Sequence, residues 1–181
     1  MEKQDLAILY SGGRYSLALY ALAHAGHHPK IPRPHSIHLL HMLNGMSRFH
    51  SFPQARYHLA RELLEKQLPD PDNAPGTHCL ELDMGRLFQG LWLDRYEELM
   101  PRFGGKNLAC VACKLGMHAK GVLYCINHHV PLMLAGYAAK QSCCPEQTDA
   151  FIERVSAFSS LFGITTVFPL YDEIADEQSV V

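Results

Sequence analysis

Apolar and polar positions along the chain switch between two periods, and the switching marks out strands and helices in turn. Residues 6–10, Leu-Ala-Ile-Leu-Tyr, form an unbroken apolar run of strand length. Helical spacing follows over 16–25, where Leu17, Leu19, Tyr20, Ala21 and Leu22 make a well-buried helix that Gly26 closes. Pro29, Pro32 and Pro34 punctuate a loop, and 36–43 reads as a second strand ending at Asn44-Gly45. Ala55, Leu59, Ala60, Leu63 and Leu64 recur at helical spacing over 53–67, with Pro53 suited to the first turn. Beyond a proline-rich loop at 69–76, the pattern predicts a third strand over 77–82 and a helix over 86–100, stopped near Pro101. Residues 103–107 form a glycine-containing approach to Cys110 and to a helix over 114–128. A fourth strand at 132–135 breaks at Gly136, a helix covers 145–162, and a fifth strand covers 165–168. Neither an internal repeat nor a low-complexity segment interrupts the series.

Strands alternating with helices imply a three-layer α/β/α fold, a parallel sheet covered on both faces by right-handed crossovers. With 181 residues and 48% apolar composition, the chain fits one domain over 1–181. In such open sheets the ligand lies beyond the carboxyl ends of the strands, where the winding reverses. The charge balance, 16 basic against 18 acidic residues, is −2 and provides no basic field for sequence-independent nucleic-acid binding. A secretory leader and a membrane span are both unexpected, because no run of eighteen apolar residues occurs, so the chain reads as cytoplasmic. In that compartment its six cysteines point to metal binding or catalysis more than to a disulfide framework. The histidine pairs 27–28 and 128–129 fall at predicted helix ends, where a cation is favourable without any metal.

The most informative stretch is Ser11-Gly12-Gly13-Arg14-Tyr15-Ser16, a hydroxyl-and-glycine turn between a strand and a helix. Glycines let the backbone approach a ligand, and serines offer hydroxyl donors. The first N–H groups of the helix lack internal partners and carry its positive dipole end, so an oxyanion is stabilised there. The alternative is a turn that only joins strand to helix. Neither Gly-x-x-x-x-Gly-Lys-Ser/Thr nor Gly-x-Gly-x-x-Gly occurs.

Ser11, Gly12, Gly13 and Ser16 match the Ser-Gly-Gly-x-Asp-Ser signature, and on these residues the chain resembles the PP-loop ATP pyrophosphatase family. The resemblance implies a Rossmann-like sheet of order 3-2-1-4-5, with the Ser-Gly-Gly turn facing the loop after Gly136. It implies that ATP and Mg²⁺ are bound, that a substrate is adenylated and that pyrophosphate is released. Ser11, Gly12, Gly13, Arg14, Ser16, Met46 and Gly136 would contact the nucleotide. Tyr15 stands where the family carries Asp, and a neutral phenol does not replace a carboxylate beside Mg²⁺. The segment 46–50, with Met46, Arg48 and His50, also resembles the diphthamide-forming branch, and its Met and Phe are equally packing residues.

Cys110 and Cys113 form a Cys-x-x-Cys pair, and Cys143 and Cys144 follow the fourth strand. A helix N-terminus and Lys114 beside the first pair would lower a thiol pKa toward the reactive thiolate. Family thiolation enzymes carry such a pair here, holding a metal, an iron–sulfur cluster or persulfide sulfur. By that resemblance Cys110 and Cys113, with Cys143 or Cys144, are candidate ligands for Zn²⁺ or an iron–sulfur cluster, adjacent Cys143 and Cys144 being poorly placed to bind one ion together. Cys110 and Cys113 are equally consistent with small core-filling thiols, as for Cys79 and Cys125. Lys140 is a candidate cation for the charge developing at the α-phosphate, or a solvated loop lysine, and Gln141 and Ser142 lie beside it. His118 is a candidate ligand or an ordinary helix-face histidine.

Together these features support an ATP-dependent adenylating sulfurtransferase, with a tRNA or a small molecule as acceptor and a protein as sulfur donor; a homodimer stays open. Two alternatives stand beside it: an amide-forming ligase of the diphthamide-synthesis type, and a non-catalytic nucleotide-binding or sensing module.

Overall fold

In the computed structural model, which describes residues 4–26, 28–46, 51–67, 74–104, 107–139 and 144–173, the chain builds one five-stranded sheet. Its strands are β1 (Leu6–Leu9), β2 (Ser36–Leu43), β3 (Gly76–Asp83), β4 (Leu132–Ala135) and β5 (Thr165–Val167), all parallel, in the order β3-β2-β1-β4-β5. Helices α1 (Arg14–Ala25) and α2 (Ser51–Gln67) connect the first three strands. Helices α3 (Gly85–Leu91), α4 (Tyr96–Phe103) and α5 (Leu108–Asn127) lead to β4, and α6 (Asp149–Ser160) leads to β5.

Strand alternation sorts the core into two layers. Leu6, Ile8 and Tyr10 of the first strand segment join Leu132 and Leu134 against Leu19 and Tyr20 of α1 and Tyr57 of α2. Ala7 and Leu9 join Met133 and Ala135 against Phe88, Val122, Cys125 and Phe151 on the other face. Being covered on both sides, β1 and β4 are buried at every position, hence their continuous apolar runs. Winding reverses between β1 and β4, which opens a crevice at their carboxyl ends. Helix α5 lies close over these two strands through Gly121, where a Cβ would stand 2.7 Å from Met133 Sδ and 3.0 Å from Leu9 Cδ2. By length and composition α5 passes as a membrane span, yet here it packs on the sheet, burying Ala112, Gly116, His118, Gly121, Val122 and Cys125.

Three of the expected helices differ in their bounds from the periodicity. The helix expected over 86–100 is divided at Trp92, whose ring is buried in the core and meets Tyr96 edge-on at 5.4 Å; a 3₁₀ turn (Leu93–Arg95) links the halves. Pro101 lies inside α4 instead of stopping it, and the helix ends at Gly104, which has φ 71° and donates to the Met100 carbonyl. Helix α5 begins at Leu108, six residues ahead of the expected start at 114, so Cys110 and Cys113 are helical. The expected 145–162 helix is a 3₁₀ turn (Pro145–Gln147) followed by α6, whose N-cap Thr148 accepts from the Phe151 amide at 3.3 Å.

Candidate functional site

The turn after β1 is folded onto itself. Gly12 has φ 72°, and Gly13 is the N-cap of α1 with no side-chain cap bond. Ser16 Oγ donates to the Gly13 carbonyl at 3.0 Å and lies 3.3 Å from both the Ser11 amide and Ser11 Oγ, while the Gly13 amide donates to Ser11 Oγ at 3.3 Å. No acidic residue occupies the first turn of α1, so its positive end is not offset by a local carboxylate.

Across the switch point the chain leaving β4 closes the other side. Gly136 sits against the start of α1: a Cβ there would lie 2.9 Å from the Tyr15 carbonyl carbon and 3.1 Å from the Ser16 nitrogen. Gly136→Ala is therefore expected to cost about 1–3 kcal/mol through displaced backbone, measured by urea denaturation. A loss below a few tenths would show that these two segments yield freely.

Between the two walls lies a cleft of about 150 Å³. Ser11, Gly13, Arg14, Tyr15 and Ser16 line one side, Gly136, Tyr137 and Gln147 the other, and Lys114 and Met117 of α5 stand between them. Among these lining residues the charged groups are Arg14 and Lys114, and no carboxylate is present. Tyr15 is an uncharged member of the same lining.

Lys114 is the residue that sequence reasoning missed as a cleft cation, having been assigned only to the thiols. Burial pushes its ammonium pKa down, opposed by Cys113, Glu146 and Cys110 in that order, and its Nζ lies 4.9 Å from the centre of the Tyr137 ring. Tyr137 in turn pairs with His118 Nε2 at 2.9 Å. Gln147 Oε1 accepts from the Ala138 amide, and the Gln147 carbonyl accepts from Tyr171 OH, which ties the segment after β4 to the 3₁₀ turn. The signal that could have found Lys114 is its place directly after the Cys-x-x-Cys pair on a helix crossing the switch point.

Of the expected nucleotide contacts, Ser11, Gly13, Arg14, Ser16 and Gly136 line the cleft, and Gly12 lies behind it against Pro53. Met46 does not line it. It is 60% exposed, with its amide bonded to Asn44 Oδ1 in a turn after β2. Arg48, His50, Lys140, Gln141, Ser142 and Cys143 lie outside the described residues.

Cys110 is exposed, and Cys113 is half-buried, accepting a weak bond from Asn44 Nδ2 at 3.5 Å. Cys144 is also half-buried. The expectation of a lowered thiol pKa is corrected for Cys110. Partial desolvation, then the Glu146 carboxylate and Cys113, push it up, and Lys114 does not outweigh them. Burial raises Cys79 to about 11 and Cys125 to about 12, as expected of core thiols. Among the described residues no three His, Cys, Asp or Glu side chains stand together as a metal site. Cys110 and Cys113, one turn apart on α5, therefore supply two thiol donors of the kind a metal needs and the described residues gather no third with them. Nearby, Glu146 is 7% exposed with Oε2 buried and unpaired. His118 is not placed as a ligand: its ring is 1% exposed, paired with Tyr137.

No family model matches the chain, and no curated protein matches it in sequence. Among solved structures it is similar to the U34-tRNA thiolase NcsA from Methanococcus maripaludis, determined with its [4Fe-4S] cluster, at a TM-score of 0.60 and 13% identity. The alignment covers 99% of this chain and 56% of that one, so the chain spans little more than half of the thiolase's length. At this identity the likeness is one of fold: both are α/β Rossmann-like domains.

Proposed function

We propose that the cleft holds the polyphosphate of ATP and that the chain adenylates an acceptor for sulfur transfer, with a tRNA base as the favoured acceptor. The observation that carries this reading is the meeting, in one cleft, of the Ser-Gly-Gly turn at the α1 N-terminus with Lys114, the residue directly after the Cys-x-x-Cys pair. The fold shared with a tRNA thiolase supports it.

An acceptor oxygen would attack the α-phosphorus, breaking its bond to the β-phosphate bridging oxygen and releasing pyrophosphate. A donor's sulfide sulfur would then add to the activated carbon, and AMP would leave with the oxygen. Backbone amides in the first turn of α1 and the Ser11 hydroxyl suit the oxyanion, the Gly13 amide and Ser16 hydroxyl would join them on leaving Ser11 Oγ and the Gly13 carbonyl, and Lys114 and Arg14 suit the charge that develops on the phosphates. Mg²⁺ would enter with the nucleotide. Cys110 and Cys113, with Cys143 or Cys144, are the ligands we propose for an iron–sulfur cluster or Zn²⁺, which when bound would present or activate sulfur. The net charge of −2 implies that a partner protein or a second subunit supplies the surface that engages RNA, and we place the protein in the cytoplasm.

The test is release of AMP and pyrophosphate from ATP, with and without tRNA, alongside iron and zinc analysis of anaerobically purified protein. The double variant Cys110→Ser, Cys113→Ser is expected to keep ATP affinity while thiolated product falls about tenfold or more. Unchanged product formation would favour the amide-forming ligase, and tight ATP binding without turnover would favour a sensing module. Protein that binds neither ATP nor pyrophosphate overturns the reading.

A further inference from the structure

Behind the cleft, three side chains stand in series. Lys114 Nζ lies 4.9 Å from the Tyr137 ring centre, Tyr137 OH is 2.9 Å from His118 Nε2, and Lys114 and His118 are one turn apart on α5. Tyr137 is 2% exposed and His118 1%. Phe151 and Phe168 flank both rings: they stand 6.1 Å and 6.0 Å from the His118 ring, and 6.2 Å and 5.2 Å from Tyr137.

An imidazole is a poor choice for filling this space. Its Nδ1 is buried with no partner, an unmet polar group that a phenylalanine or leucine would not have. What the imidazole adds over an apolar ring is the bond to Tyr137 OH. That bond fixes the ring whose face supports the Lys114 ammonium. A protonated ring would instead place a second cation one turn from Lys114, and burial together with the Lys114 charge keeps it neutral.

We propose that His118 is a positioning residue, acting through the Tyr137 hydroxyl to hold Lys114 at the phosphate cleft. The inference rests on the reading of the cleft as a polyphosphate site.

The experiment is calorimetry of the full chain with ATP and with inorganic pyrophosphate. Lys114→Met is expected to weaken ATP roughly 10- to 100-fold, the range for one charge-assisted contact. Tyr137→Phe keeps the ring and removes only the hydroxyl, and it is expected to weaken ATP about 3- to 10-fold. His118→Phe is expected to do the same, with His118→Gln recovering part of the loss. In the Lys114→Met background, both Tyr137→Phe and His118→Phe are expected to have no further effect, because the group they position is gone. Folded Tyr137→Phe that binds ATP like the wild type overturns the inference, as do losses that add in full to that of Lys114→Met. Tyr137→Phe is near-isosteric, so the test survives a His118 variant that fails to fold. Wild-type protein that ignores ATP and pyrophosphate sinks the cleft reading itself, a different failure from wild-type binding that the variants leave untouched.

Discussion

Gly12→Ala is expected to destabilise the protein by about 2–5 kcal/mol, whereas Gly13→Ala, one residue away, is expected to cost less than about 1 kcal/mol. Gly12 has φ 72°, a left-handed conformation that costs an L-residue roughly 1–2 kcal/mol. Its added Cβ would also stand 2.8 Å from the Cα of Pro53, backbone in the first turn of α2 that no rotamer can move aside. That turn is pinned from below by Tyr10 OH, which donates to the Pro53 carbonyl. Relief requires shifting a helix or the Ser-Gly-Gly turn, at about 1–3 kcal/mol more. Gly13 has φ −76°, open to any residue, and its Cβ would meet only Ser11 Oγ at 3.3 Å, which can rotate. Yet Gly13 lines the cleft and Gly12 does not, so the binding effect should run the other way relative to stability. Gly13→Ala is expected to stay folded with weakened ATP affinity. Urea midpoints and ATP calorimetry on the two variants check this, and equal destabilisation by both would refute the assigned turn geometry.

The contrast between neighbouring glycines shows what a linear reading can reach. Ser11-Gly12-Gly13 was legible because strand, turn and helix are contiguous and each has a local signature. The five strands were legible for the same reason: alternation and Gly or Pro punctuation are properties of short windows. Strand order was not, since nothing in the run Leu132-Met133-Leu134-Ala135 says that it pairs with β1; the family resemblance implied that order, and the structure agrees. The division of the 86–100 helix comes from burial of Trp92 in a core assembled from other parts of the chain. The early start of α5 had a signal, the apolar Leu108-Ala109 and Val111-Ala112 pairs, but glycines at 104 and 105 read more strongly as loop. Half the cleft was equally hidden. Lys114 and Gln147 lie on a helix and in a 3₁₀ turn, and only the switch between β1 and β4 brings them to the Ser-Gly-Gly turn. The direction of the Cys110 shift is not legible in the sequence because the partial burial of its thiol, and after it the approach of Glu146 from far along the chain, arise only in three dimensions.

Acid should unfold this protein early, and His118 should be the main cause. Burial and the Lys114 charge depress its folded-state pKa from 6.5 to about 3. Above 6.5 the imidazole is neutral in both states and contributes nothing to the pH dependence. Below 6.5 the unfolded chain takes up a proton that the folded chain refuses, so stability falls by up to about 1.4 kcal/mol per pH unit. Between pH 6.5 and 4.5 the loss is about 2.3 kcal/mol from this one residue. His24 and His38, also depressed by burial, act in the same direction. The carboxylates Asp5, Glu98 and Glu173 have lowered pKa values from 3.8, 4.5 and 4.5, so their contribution is complete above those values and disappears only on further acidification. The two groups therefore separate on the pH axis, histidines from 6.5 to 4.5 and carboxylates below. Urea midpoints measured across that range should fall steeply for the wild type and much less for His118→Gln, even if the variant is weaker at pH 7. A wild-type midpoint that stays level from pH 6.5 to 4.5 would mean that His118 accepts a proton inside the folded protein. A charged ring there would repel Lys114 from one turn away, and the support proposed for that lysine would fail with it.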